Sequence, residues 1–378
     1  MELKTQRNSN IELLRIIAML MIIAHHYVTG SLPLYYLTGG PNKWLSELLY
    51  SYGKTGVNIF VLITGYYMVN MNFSIKKPLK IMGQVWFYSV MTLLVCLMIP
   101  SVSEQLDGYQ IFGSFFPIST NQYWFATQYI LLLTVAPFLN RFAHNASKDQ
   151  LTVCVIVLAV FNSVVPSVHA VLTEYLAGLT YSPEGWFVML YLMAARIRLY
   201  SPDCVSRKEL CSHALRAIAW GIAIPAWAWV SQIVFGETGN ETFFSFLTWT
   251  QMDWSFFGLM CALELFQLFR LMKPFYRRWI NLLASFSFGV YLFHAHVFYP
   301  VIRNAIFSWV EPAHAVELAL QALIVVFGRY LAGSVADFVR QKTVGRLWNK
   351  AVDKASPSIE RWGCAAYRKI SALIDRSV

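Results

Sequence analysis

Charged residues are scarce in this chain of 378 residues, where Asp, Glu, Lys and Arg make up 13% of the sequence. In soluble domains about a quarter of all residues are charged. Hydrophobic residues reach 57% and aromatic residues 16%. Because no soluble core needs that much apolar surface, the composition excludes an ordinary soluble domain.

Ordered cysteine spacing is also lacking. The six cysteines are scattered, mostly within apolar runs, and none forms a CxxC pair. This excludes a disulfide framework and a cysteine metal centre, and no metal is expected. The first apolar run carries Glu12 and Arg15 and lacks a small-residue cleavage site. It is therefore predicted to be a retained helix and not a signal peptide.

What the chain does have is a series of long apolar runs. A bilayer core requires about 20 mainly apolar residues per helix. Runs of this kind begin near Ile11, Tyr50, Leu79, Tyr123, Leu151, Trp186, Leu215, Phe246, Leu283 and Ala315. The sequence therefore predicts an all-α, polytopic integral membrane protein with about ten transmembrane helices. Pro166 interrupts the fifth run, so that run is the least regular, and residues 169–183 are a candidate structured loop.

Lysine and arginine lie mostly in alternate loops, which sets the expected orientation under the positive-inside rule. One set of loops is rich in them, whereas the other has little beyond Lys43, Lys54 and Arg303. Both termini are thus predicted to be cytoplasmic. The net charge of +10 is a topology signal, and no nucleic-acid partner is expected.

The chain divides into a predicted transmembrane domain, residues 1–340, and a basic cytoplasmic tail, residues 341–378. The tail alternates basic and apolar residues. This pattern is typical of an amphipathic helix that lies on anionic membrane lipids.

Ionisable groups inside a bilayer are costly and are candidates for function. Arg15 and His26 are eleven residues apart in the first run, about three helical turns, which places them on one face roughly 16 Å apart along the axis. Two structural alternatives stay open for this pair: Arg15 snorkels to the headgroups, and His26 bonds a neighbouring helix. Ser9 and Glu12 have the spacing of a capping box at the start of the helix.

The sequence around this pair resembles the first helix of membrane-bound acyltransferase family 3, in which an arginine, ten residues and then a histidine occur in order. Further matching segments follow in family order: Gly56 to Tyr66, Lys76, Tyr123 to Phe125, and Phe288 to His294. The resemblance departs from the common pattern at Lys76 and Lys77, where many relatives carry an arginine pair, and at Thr64, where serine is common.

The resemblance implies transfer of an acyl group, usually acetyl from cytoplasmic acetyl-CoA, to a hydroxyl of a carbohydrate or glycolipid at the outer face of the cell membrane. His26 is then the expected general base, since imidazole titrates close to neutral pH. An acyl-histidine intermediate is the alternative. Arg15 is expected to take part in catalysis and, together with Lys76, Lys77 and Lys80, to hold the phosphates of the acyl-CoA. Topology alone also explains the lysines.

Four further polar or aromatic residues are candidates for substrate binding: Asn58, Gln122, Trp124 and His294. His294 ends a segment that resembles the family's late histidine motif. Its alternative role is an interhelical hydrogen bond, and Trp124 has the alternative role of an interfacial anchor. Other polar residues in the runs are weaker candidates, namely Gln84, Gln128, Asp253, Glu264, His296 and Arg329.

A polytopic transporter or flippase of a glycan precursor is the main alternative function, because it too has many helices with buried His, Arg and Glu. The sequence shows neither an inverted repeat nor paired broken helices, which such proteins often have. A glycan polymerase usually has a larger basic outer loop. The acceptor sugar, the choice between acetyl and succinyl, and the oligomeric state stay open.

Overall fold

The computed structural model describes residues 8–31, 40–72, 74–172, 181–235, 249–299, 301–302 and 314–374. Every regular element in these ranges is helical. The α-helices are α1 (Ser9–Ser31), α2 (Gly40–Ser51), α3 (Gly53–Met68), α4 (Lys76–Met98), α5 (Pro100–Ser103), α6 (Gly108–Phe115), α7 (Trp124–Asn145), α8 (Lys148–Ala159), α9 (Val165–Leu172), α10 (Pro183–Tyr200), α11 (Arg207–Phe235), α12 (Phe256–Leu271), α13 (Arg278–Ser285), α14 (Ser287–His294), α15 (Ala315–Lys342) and α16 (Val344–Ile374).

The predicted all-α membrane architecture is confirmed. Within the described residues, six helical segments are long and apolar enough to cross a bilayer: Ser9–Thr29, Lys76–Met98, Lys148–Leu172, Arg207–Ser231, Trp249–Leu271 and Ala315–Lys342. The other four predicted runs also contain helices. The count of ten crossings and the cytoplasmic position of both termini stay predictions.

Helices α1 and α3 form the centre of the bundle. Helix α1 contacts α2, α3, α12, α13, α14 and α15, while α3 also contacts α7, α10 and α12. Most side chains of α3 are buried on every side, as expected of a helix that is apolar all round.

Glycines let α3 approach its neighbours closely. A Cβ atom on Gly56 would lie 2.5 Å from the backbone oxygen of Ala18, and one on Gly65 would lie 2.7 Å from that of Tyr191. Small residues at such contacts are typical of helices packed in lipid, where close van der Waals contact drives association. The two glycines therefore hold α3 against α1 and α10.

The capping box predicted at the start of α1 is wrong. Ser9 lies inside the helix, and its hydroxyl donates to Oδ1 of Asn281 at 2.8 Å and accepts from the backbone N–H of Arg277 at 2.8 Å. The side chain of Asn8 accepts instead from the amide of Asn10. Ser9 therefore fastens the start of α1 to the start of α13, and Glu12 is left to pair with Arg15.

The fifth run is more regular than Pro166 suggested. A π-helical turn at Val160–Val164 joins α8 to α9, and the helix continues through Pro166 to Leu172. Proline has no backbone N–H to donate to the helix. The wider π-helical turn shifts the backbone hydrogen bonds just before Pro166, so the chain stays helical despite the missing donor. The rest of the predicted loop, at residues 173–180, lies outside the described residues.

The C-terminal segment forms the predicted helix, α16, which packs against α4 and α15. The indole N–H of Trp348 donates to the backbone oxygen of Leu79 at 3.1 Å. Other apolar side chains of α16 face outward, including Leu347 at 70% and Trp362 at 81% exposure. Contact of this outward face with lipid stays a prediction.

We expect Gly65→Ala to destabilise the bundle by about 1–3 kcal/mol, because the added methyl group meets backbone that cannot move aside. Gly328→Ala is the matched control, since a Cβ there meets no atom within 4 Å. Thermal unfolding of the purified protein in detergent measures both. Equal apparent Tm values for the two variants would contradict the close α3–α10 contact.

Candidate active site

A cavity of about 250 Å³ lies where α1, α3, α7 and α14 meet. Its lining is mostly apolar and aromatic, with two histidines and one lysine. The lining residues are Met19, Ile22, His25, His26, Thr29, Gly53, Lys54, Val57, Phe60, Trp124, Phe125, Phe288 and Tyr291.

One face of α1 links this cavity to Arg15. Arg15, Met19, Ile22 and His26 recur at intervals of four, three and four residues, which places them on one side of a helix. The last three line the cavity, and the guanidinium of Arg15 lies 6.0 Å from the ring centroid of Phe60, which also lines it. The predicted shared face of Arg15 and His26 is therefore observed, along the seam between α1 and α3.

Arg15 itself does not line the cavity. Two lining residues lie near it: Met19, one turn later on α1, and Phe60, whose ring centroid is 6.0 Å from the Arg15 guanidinium. Nε of Arg15 lies 3.4 Å from a carboxylate oxygen of Glu12, one turn earlier on α1. In this conformation the arginine is paired with an acid and does not reach His26.

His26 lines the cavity and makes no hydrogen bond to the described part of the protein. Its side chain is partly buried, and Nδ1 is buried without a hydrogen-bond partner. The ring lies 5.1 Å from the ring of His294 and 5.6 Å from that of His25, centroid to centroid. An imidazole that takes no part in structural hydrogen bonding is free to exchange a proton with a ligand.

The neighbouring His25 has a structural position. Its Nδ1 lies 2.9 Å from the backbone oxygen of Tyr50, and the two rings stack with centroids 4.2 Å apart. A carbonyl oxygen only accepts, so Nδ1 of His25 carries the hydrogen. Gly53 packs directly against the ring, where a larger residue would overlap it. His25 therefore joins α1 to α2 and α3.

His294 lies behind His26 and is not part of the cavity wall. It is 2% exposed, and its Nδ1 donates to the backbone oxygen of Val290 at 2.6 Å. Nε2 is then the nitrogen with the free lone pair, and it is buried without a partner. Two adjacent imidazoles thus each keep an unpartnered nitrogen, an arrangement that suits a donor and an acceptor.

Arg329, on α15, adds a buried cation near the two histidines. It is 8% exposed, its guanidinium lies 4.9 Å from the ring centroid of Tyr299, and its Nη1 has no hydrogen-bond partner. It is within electrostatic range of both His26 and His294. Polarity in an apolar run was the only sequence signal for this residue.

The other predicted substrate-binding residues differ in position. Trp124 lines the cavity. Asn58 is fully buried beside it, where its amide donates to the backbone oxygen of Asp253 at 3.0 Å and accepts from the indole N–H of Trp186 at 2.8 Å. Gln122 is buried, with an unpartnered side-chain oxygen, and does not line the cavity.

The predicted phosphate-binding lysines lie at the opposite end of the bundle, near the start of α1. Nζ of Lys80 lies 3.0 Å, and that of Lys76 3.8 Å, from one carboxylate oxygen of Asp353 on α16. Lys77 is within electrostatic range of Arg15. The four predicted cations thus share one end of the bundle, and an acid of the C-terminal helix already pairs with two of them.

Lys54 is a cavity residue that the sequence indicated only as a topology signal. It lies in the first turn of α3, and its Nζ is 4.4 Å from the ring centroid of Trp124. Tyr52 alone separates α2 from α3, and the start of α3 lies at the cavity. No sequence motif indicates that Lys54 reaches it. Lys54 and Trp124 therefore form a cation–aromatic pair in the cavity wall.

Residues 8–335 match the family model of acyltransferase family 3, described as an acyltransferase domain. The chain belongs to this family. No curated protein and no solved structure gives a significant match. The matched range contains every residue that lines the cavity, together with His294, Arg329, Arg15, Lys76, Lys77 and Lys80, whereas α16 lies beyond it. The chain is therefore a multi-pass membrane acyltransferase.

The two adjacent histidines are expected to differ in their effect on stability. His25→Ala leaves the Tyr50 carbonyl without its buried partner, which costs about 1–3 kcal/mol. His26→Ala removes no hydrogen bond and should lower the apparent Tm less. Thermal scans of the two purified variants compare them directly. Equal losses of stability would show that His26 is also held structurally.

Proposed function

We propose that this acyltransferase moves an acetyl or other short acyl group from cytoplasmic acyl-CoA to a hydroxyl of a cell-surface or lipid-linked polysaccharide, in the plasma or inner membrane. The observation that carries the proposal is the unengaged imidazole of His26. It faces a cavity, and Arg15 lies on the same helix face toward the cationic end of the bundle.

In this proposal His26 acts as general base. Nε2 takes the proton of the acceptor hydroxyl as the oxygen attacks the thioester carbon. The C–S bond then breaks, and the proton passes to the departing CoA thiolate. His294 supports this tautomer, because its free Nε2 can accept from Nδ1–H of His26 after a small shift of the rings. Acylation of His26 itself, followed by transfer, is the alternative route.

Arg15, Lys76, Lys77 and Lys80 are the proposed site for the phosphates of the donor. Their clustering at one end of the bundle supports this, since several point charges near one another attract a polyphosphate. Asp353 competes for two of these lysines, so donor binding requires that its ion pairs loosen. Arg15 would also have to leave its ion pair with Glu12 to bind the phosphates of the donor.

The acceptor is proposed to bind at the other end, against Trp124. An indole face is a platform for the apolar face of a sugar ring. Asn58, next to the lining residue Val57, and the buried Gln122, two residues before Trp124, are proposed to support that wall. A transporter or flippase is the less favoured function, because the family assignment specifies acyl transfer.

Transfer is tested with membranes that contain the protein and acetyl-CoA labelled on its acetyl carbon, by following label into lipid-linked and surface glycan. We expect His26→Ala to lower the rate by about 10²–10⁴-fold, the usual contribution of a general base. His314→Ala is the matched control, because this residue precedes α15 and does not line the cavity. A correctly folded His26→Ala protein that transfers at the wild-type rate would refute the mechanism.

The donor site is tested by charge changes of opposite sign. Replacing Lys76 and Lys77 together by Gln should raise the KM for acetyl-CoA with little change in kcat, since uniform binding is lost. Asp353→Asn should lower that KM, because it releases Lys76 and Lys80. Lys350→Gln, an exposed change on α16, is the control. If all three variants keep the wild-type KM, the lysines serve topology alone.

A further inference from the structure

Lys54 is the one fixed charge in the lining of the cavity. Its other lining residues, all of them described, are apolar or aromatic side chains, glycine, one threonine and two histidines, and neither aspartate nor glutamate is among them. The cavity therefore carries a positive charge without an acid to balance it.

Lys54 is half-buried, and its ammonium group is not enclosed by the protein. Its contact with the Trp124 ring, at 4.4 Å from Nζ to the centroid, is a cation–π interaction, worth roughly 0.5–2 kcal/mol. Such a contact does not satisfy the three N–H donors of an ammonium group. Within the described part of the chain, Lys54 makes neither an ion pair nor a side-chain hydrogen bond. The strongest ligand for these donors is an anion.

The charge of Lys54 lies beside the indole ring of Trp124, a side chain of the kind that stacks on sugars. Because the indole lines the cavity, a pyranose ring bound there can stack on it, and the lysine next to it can pair with a charged substituent of the same ring or its neighbour. At 250 Å³ the cavity is smaller than ordinary ligand pockets, which measure about 300–1,000 Å³. It therefore suits one sugar unit together with a substituent of the unit next to it, and not a longer oligosaccharide.

We propose that the acceptor is an anionic glycan, and that Lys54 binds its negatively charged group while Trp124 stacks on the sugar. This inference rests on the proposed function and names its substrate class. Because Lys54 and His26 line the same cavity, the charge lies on the unit that carries the acylated hydroxyl or on the unit next to it. A sugar carboxylate and a glycosyl phosphate have this chemistry in common.

The transfer assay distinguishes these two sources. Native glycan acceptor is compared with acceptor whose carboxylates have been reduced to alcohols, and with acceptor whose glycosyl phosphates have been cleaved by mild acid. We expect one treatment to lower the wild-type kcat/KM for acceptor at least tenfold. Lys54→Gln should use untreated acceptor no faster than the wild type uses the treated one, with little further loss on treated acceptor, and Lys54→Arg should restore the preference. Lys43→Gln is the matched lysine control and should keep it.

A wild-type enzyme that uses neutral and anionic acceptors equally would overturn the proposal. So would a Lys54→Gln variant that keeps the preference, or one that loses kcat equally with every acceptor, since Lys54 would then act on the thioester. Absence of label in every glycan, or wild-type transfer by His26→Ala, would refute the proposed function separately.

A binding measurement tests the site without any transfer. Methyl β-glucuronoside and glucose 1-phosphate are added to the purified protein, and neutral methyl β-glucoside is the control. A ligand of the folded state raises the apparent Tm. We expect one anionic probe to stabilise the wild type and not Lys54→Gln, and the neutral glycoside to stabilise neither. Equal stabilisation of wild type and variant, or no stabilisation of the wild type by either anion, would count against the anion site.

Discussion

The close contact between α1 and α3 is the constraint on which the cavity depends. Lipid provides little hydrophobic drive for one helix to associate with another, so the glycines that let two backbones approach decide which faces meet. Gly56 lies against the backbone of Ala18, and Gly53 against the ring of His25. From that fixed pairing, α1 contributes the histidines, and α3 contributes Lys54 and Phe60.

The same contact gives two successive histidines unlike roles. Residues that are adjacent in a helix point about 100° apart, so one ring of the pair turns toward α2 and the other toward α14. His25 finds a carbonyl and an aromatic ring there. His26 lies beside the imidazole of His294. Its ring is thus held between packed neighbours without a hydrogen bond to them, an arrangement by which packed helices keep a side chain in a fixed position.

Much of the fold could be predicted from the sequence, because the bilayer imposes simple rules of length and polarity. The shared face of Arg15 and His26 also follows from helical periodicity. The prediction that failed concerned a tertiary contact. Ser9 has the spacing of a cap, but it bonds to residues near α13 that lie more than 260 positions away. Spacing along the chain carries no information about such partners.

Two parts of the candidate site had no usable sequence signal for a similar reason. Lys54 lies at the start of α3, one residue of chain after α2 ends, and a basic residue at the end of an apolar run is ordinarily a topology marker. The pairing of Lys76 and Lys80 with Asp353 depends on where α16 docks. Charge counts find the lysines but not the acid brought to them by a distant helix.

The apolar side chains of the cavity lining, Met19 and Phe60 among them, also bear on ion leakage. Apolar walls disfavour hydrated ions and protons, whereas an uncharged acyl group pays no such penalty. The proposed transfer of an acyl group across the membrane would therefore not require an open path for ions.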